Sequence, residues 1–224
     1  MPPPTATQGM LRHPLTVVLG SEGHVRLLRE LLRHGGELGA TDLAARAGLS
    51  PQHARLLLGH LVQAGVADGL GTGRARLYRA RPAHPLAGPL DALFAAEDER
   101  FGAVLAAVRR AAAELRPRPP RAVWLYGSAA RGTDTAASDV DLALIAEAAD
   151  LEGAVETLRE RLGPAGDALG VTFSVVGGEP RDVLRAAAGD AFWAGVTADA
   201  VPILGPAPDR LAVEARRTPA QAEP

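Results

Sequence analysis

The sequence contains no cysteine. Disulfides, thiolate nucleophiles and cysteine-built zinc sites are therefore excluded. Lysine is absent too: all 24 basic residues are arginine. With abundant alanine, glycine and proline, this reads as a coding bias rather than an adaptation. Aromatic residues make up only 4%, so any core must be built from leucine, valine and alanine. No run of about 18 apolar residues occurs, and the stretch from Met1 to Met10 lacks the apolar centre of a signal peptide. The expectation is a cytoplasmic protein with no membrane partner.

What is present is 47% hydrophobic material in 224 residues, enough for two domains of roughly 80–130 residues each. Charge is divided unevenly. From Arg12 to Pro82 ten arginines face five acids, a net of +5; from Ala83 to Pro224 fourteen face twenty-one, a net of −7. A basic front half suggests a nucleic-acid partner for that half.

Residues 1–12 are Pro-rich and polar, and are expected to form a disordered tail. From Gly23 to His34 the spacing of Val25, Leu27, Leu28, Leu31 and Leu32 predicts a helix ended by Gly35-Gly36. Thr41 is expected to cap a short helix over Asp42–Ala47. Ser50-Pro51 is a strong start signal for a third, running to Ala64. Two extended runs, Val66–Leu70 and Ala75–Ala80, meet at Gly71-Thr72-Gly73, a predicted hairpin turn.

Helix, helix–turn–helix, hairpin: over Leu15–Arg81 this order resembles the winged-helix domains of MarR- and ArsR-type bacterial regulators, and the domain is set at 13–82. The resemblance implies DNA as partner and, by analogy, a homodimer. The third helix would enter the major groove with Gln52, His53, Arg55 and Leu56 facing bases and phosphates. On the hairpin, Arg74 and Arg76 should share one strand face by alternation, as should Arg79 and Arg81, and both pairs suit phosphate contact. A protein-docking module is the other reading of the same pattern. Residues 83–120 are expected to be a connector of one or two helices, with Leu90, Phe94, Phe101, Val104, Val108 and Leu115 at helical spacing as core packing.

The chemistry lies in residues 122–145, AVWLYGSAARGTDTAASDVDLALI. Ala122–Tyr126 reads as a buried strand, broken by Gly127-Ser128. After a gap of ten residues, Asp139-Val140-Asp141 opens a second apolar run, Leu142–Ile145. Strand side chains alternate, so two carboxylates two residues apart point the same way, roughly 7 Å apart along the strand. Such a pair can share a hard divalent cation, which brings substrate phosphates with it. A Gly-Ser turn lets backbone N–H groups approach an anion. Together these are the equipment for metal-assisted phosphoryl or nucleotidyl transfer.

The segment resembles the minimal nucleotidyltransferases of the DNA polymerase β superfamily. Tyr126, Gly127, Ser128, the ten-residue gap, Asp139, Val140, Asp141 and Leu142 meet their pattern, with Ala129-Ala130-Arg131-Gly132 and Ser138 matching its common flanks. The resemblance implies that Gly127 and Ser128 hold a nucleoside triphosphate (NTP), that Asp139 and Asp141 hold Mg2+ or Mn2+, and that Arg131 supports either the phosphates or the loop. One departure stands out. Active members carry a third carboxylate on a later strand. The matching run here, Leu169–Val176, puts Thr172 and Ser174 on that face, and a hydroxyl is no general base at neutral pH. Asp167, Glu179 and Asp182 lie near but off the pattern.

Further on, Asp182–Ala188 is expected to be helical, Phe192, Trp193 and Val196 to pack a second helix, and Val201–Leu204 to be a last apolar run. The nucleotidyltransferase-like core is set at 121–205, and 206–224 is expected to be a disordered tail. The fold class expected is thus α+β: a winged helix-turn-helix, then a polymerase β-like α/β domain with a mixed sheet. Two functions follow. One is an Mg-dependent enzyme moving NMP from NTP to a hydroxyl of a protein, nucleic acid or small molecule. The other is a DNA-binding regulator, or an antitoxin-type protein with a toxin-like partner, whose nucleotidyltransferase domain does not turn over.

Overall fold

The computed structural model describes residues 11, 12 and 21–217, with Arg74 described for its backbone alone. The chain divides into two units, Met1–Glu99 and Arg100–Pro224, with the division inside one 27-residue helix, Ala87–Ala113. The expected tail 1–12 lies outside the described residues except for Leu11, which is buried, and Arg12. Among the described residues no helix is long and apolar enough to cross a membrane.

The first unit runs α1 (Glu22–His34), β1 (Leu38–Gly39), α2 (Ala40–Ala47), α3 (Pro51–Gln63), β2 (Ala67–Leu70), β3 (Leu77–Ala80) and the start of α4 (Ala87–Ala113). Its strands form an antiparallel sheet in the order β1-β3-β2. The leucine spacing read in the sequence is the core: Leu27, Leu31, Leu43 and Leu58 are fully enclosed, with Leu61 and Tyr78 around them. Each buried leucine contributes roughly 1.5–3 kcal/mol. Ser50 caps α3, its hydroxyl accepting the His53 amide at 3.3 Å, with Pro51 at the first position. Thr41, expected to cap the second helix, instead lies inside α2, which starts at Ala40 behind Gly39 and has no side-chain cap.

Arg29 interrupts the apolar stripe of α1 yet is buried. Its Nε donates to Glu97 Oε2 at 2.7 Å and Nη2 to Oε1 at 3.1 Å, and the two side chains are 1% and 0% exposed. The guanidinium lies 5.3 Å from the centre of the Phe94 ring. Bidentate pairing of this kind satisfies both charges out of water.

The second unit comprises the rest of α4, then β4 (Ala122–Tyr126), α5 (Gly127–Arg131), β5 (Val140–Ile145), α6 (Ala148–Leu169), β6 (Phe173–Gly178), a 3-10 segment Pro180–Ala186, α7 (Ala191–Asp199), β7 (Val201–Leu204) and α8 (Pro208–Arg217). The four strands form a mixed sheet in the order β6-β5-β4-β7, with only β5 and β6 parallel. The apolar runs on β4 and β5 are buried almost without exception because this pair is central. Trp124 is fully enclosed, its indole N–H donating to the Pro206 carbonyl at 2.8 Å. Trp193 and Leu211 belong to the same cluster.

Three sequence expectations differ here. The stretch 206–224 was expected to lack structure, but Pro208–Arg217 is helical because Leu211 is drawn into the Trp124 cluster; residues 218–224 lie outside the described residues. The strand expected from Leu169 starts only at Phe173, since α6 continues through Pro164 to Leu169 and stops at Gly170, φ 63°. The helix expected over Asp182–Ala188 is a 3-10 segment starting at Pro180, and Glu179 and Asp182 form its capping box.

Candidate active site

Strand β4 delivers the chain to Gly127, whose φ of 73° is open to glycine and costly for other residues. A Cβ there would lie 2.6 Å from Asp141 Oδ2. The turn and the carboxylate are therefore pressed together, with no side chain between them. Ser128 sits in the first turn of α5, and its carbonyl accepts the Thr133 amide at 2.9 Å. Gly132, φ 68°, ends that helix. The loop that follows is pinned by Ser138, whose hydroxyl accepts the Thr135 amide at 3.0 Å. Asp139 comes directly before β5 and Asp141 is its second residue.

Asp141 is flanked in the sheet by Tyr126 on β4 and by Ser174 on β6. Burial first, and then the neighbouring charge of Asp139, push its carboxyl above the usual range; a hydrogen bond from Ser174 and the charge of Arg131 oppose them. Burial and the charge of Asp141 likewise push up the Tyr126 phenol. Two acids that repel each other in a partly desolvated place favour a cation between them. Arg131 forms an ion pair with Asp199, the last residue of α7, and its charge also acts on Asp141.

Ser174, where the resemblance implies a third acid, is in register with Asp141. Thr172 does not join it. It precedes β6, is exposed, and meets the sheet through its carbonyl, which accepts the Val140 amide at 2.8 Å. Among the described residues no cluster of three or more His, Asp or Glu could hold a metal ion. The donor set nonetheless fits one divalent cation held by two carboxylates, with oxygens of a bound phosphate and water completing its shell. Gly127→Ala is expected to cost roughly 1–2 kcal/mol from backbone strain alone and to displace Asp141. Thermal unfolding and Mg-ATP titration of the same sample check both effects.

In the first unit, Gln52, His53, Arg55 and Leu56 are exposed on one side of α3, Leu56 by 59%. The hairpin arginines differ from expectation. Arg74 lies in a 3-10 turn, Gly73–Ala75, and Arg76 precedes β3, so they do not alternate along a strand. The Arg76 guanidinium lies 5.5 Å from the centre of the Tyr78 ring. Arg79 and Arg81 both meet Asp68, with Nε to oxygen distances of 3.3 and 2.7 Å, and Arg79 also approaches Glu37 at 3.7 Å. These acids are the residues a count of arginines overlooks. The signal was in the sequence: Asp68 stands opposite Arg79 once the hairpin register is set.

Residues 105–170 match the family model of the nucleotidyltransferase domain. The match runs from α4 through β4, α5 and β5 to the end of α6, and takes in Gly127, Ser128, Arg131, Asp139 and Asp141; Ser174 lies just beyond it. The match falls within the second unit, whose mixed sheet fits a nucleotidyltransferase domain. No curated protein and no solved structure matches the chain.

Proposed function

We propose that the second unit binds NTP with Mg2+ or Mn2+ and transfers NMP to a hydroxyl of a protein, nucleic acid or small molecule. The observation that carries this reading is the contact between the Gly127 turn and Asp141, with Asp139 beside it. Backbone amides at Gly127 and Ser128 would hold the triphosphate. Asp139 and Asp141 would hold the cation, whose chemistry is to neutralise phosphate charge and polarise the reacting phosphoryl group. Arg131, tied to Asp199, steadies the turn. In the transfer, the acceptor oxygen bonds to the α-phosphorus, and the bond to the bridging oxygen breaks. Pyrophosphate leaves with that electron pair. The acceptor proton goes to solvent, because Ser174 offers no anionic base.

Ser174 also favours a second reading: a non-catalytic domain in a DNA-binding regulator or an antitoxin-type protein with a protein partner. The first unit supports it, with three helices before an antiparallel hairpin and an exposed α3 face carrying Gln52, His53 and Arg55. Under this reading the chain is a winged-helix homodimer on DNA, contacting phosphates through Arg55, Arg74, Arg76 and, beyond its acid partners Asp68 and Glu37, Arg79.

One experiment separates the readings. NTP labelled on the α-phosphate is incubated with Mg2+ or Mn2+ and host lysate, using wild type and Asp139→Asn/Asp141→Asn. Label transferred by wild type alone is expected. If the variant retains every activity, while Arg55→Ala/Arg76→Ala abolishes DNA binding, the enzyme reading fails.

A further inference from the structure

The chain holds eight aromatic residues, Phe, Trp and Tyr together. Seven of them are buried or half-buried; Phe192 is 49% exposed. Its exposure is not that of a loose loop. Asp190 caps α7, accepting the amides of Phe192 at 3.0 Å and Trp193 at 3.1 Å. Trp193, next in the chain, is buried against Gly178 in the core of the unit. The two rings meet edge to face at 5.5 Å. An apolar ring is thus fixed in place with much of its surface facing water.

Its location ties it to the nucleotide site. Phe192 meets Tyr126 at 6.3 Å, again edge to face. Tyr126 is the residue before Gly127 and the register partner of Asp141. The far end of the same helix carries Asp199, which holds Arg131. Helix α7 therefore borders the Gly127–Arg131 turn at both of its ends, and the end carrying Phe192 is the apolar one. A nucleotide is a charged tail and a flat aromatic base, and bases stack on such rings whatever their identity.

We infer that Phe192 is the stacking platform for the nucleobase of the nucleotide whose phosphates lie on the Gly127–Ser128 turn. The inference rests on the nucleotide-site reading above. It makes the site responsive to the presence of a base and tolerant of which base it is.

The test compares two probes on the full chain with Mg2+, by titration calorimetry: ATP, and inorganic tripolyphosphate, which has the charges and no base. Wild type is expected to bind ATP more tightly than tripolyphosphate. Phe192→Ala should weaken ATP about tenfold and leave tripolyphosphate unchanged. Phe192→Tyr, which keeps a ring, should retain the ATP affinity. Equal ATP affinity in wild type and Phe192→Ala overturns the platform while leaving the phosphate site standing. So does a parallel loss for both probes, which would make Phe192 part of the phosphate site's frame. Loss of self-association in Phe192→Ala, with ATP binding intact, would assign the ring to contact with a second copy. If wild type binds neither probe, the nucleotide-site reading fails and the platform with it.

Discussion

Ser174→Asp is expected to raise nucleotidyl transfer by about 10²- to 10⁴-fold over wild type, the range a positioned general base supplies. Ser174 lies beside Asp141 on the adjacent parallel strand and hydrogen-bonds to its carboxyl. A hydroxyl there can satisfy one oxygen of Asp141. It cannot add negative charge or take the proton of an acceptor hydroxyl at neutral pH. An aspartate can do both. The substitution also adds a third acid next to one already pushed up by burial and by Asp139. Without divalent cation the variant should therefore unfold at a lower temperature than wild type, and Mg2+ should restore it, since a ligand that binds only the folded state stabilises it. Ser174→Asn, similar in size and uncharged, is the control. A rate unchanged in Ser174→Asp, alongside Mg2+-dependent stabilisation, would show that the missing acid is not what limits transfer.

The second large effect is on stability. Glu97→Ala should cost about 3–5 kcal/mol in the first unit, because it removes the carboxylate that meets the buried Arg29 guanidinium in a bidentate pair. Whole domains are stable by about 5–15 kcal/mol, so the loss would bring this unit near its threshold. Urea unfolding followed by far-UV circular dichroism reads it. Replacing both partners, as Arg29→Met/Glu97→Leu, removes charge and counter-charge together and should recover most of the loss. Equal losses in the single and double variants would mean that the packing of the two stems matters, and the pairing little.

The candidate segment was legible because it is local. Strand, Gly-Ser turn and Asp-x-Asp strand are consecutive, and each is signalled by its own residues: the apolar run at Ala122–Tyr126, the glycine at 127, the alternation at 139–141. Ser174 could be put on one face of its strand for the same reason, by period-two alternation. Its alignment with Asp141 needed the β5–β6 register, which no local signal contains. The start of that strand was misplaced because the preceding helix, with Leu158 and Leu162 buried, continues to Leu169. The hairpin arginines failed on turn chemistry: Gly71 and Gly73, both at positive φ, wind a 3-10 turn that consumes Arg74. Arg29 was invisible as a core residue, since Glu97, the carboxylate it meets, lies 68 positions away. Helix α8 was missed because Pro and Ala composition outweighed a single leucine that the core happens to need.

Both tryptophans, Trp124 and Trp193, are enclosed in the second unit, and the first has none. Intrinsic indole fluorescence is therefore a built-in reporter of one unit alone. Its emission follows the melting of the second unit and is blind to the first. Comparing it with circular dichroism, which sees both, separates their unfolding without cutting the chain or attaching a dye.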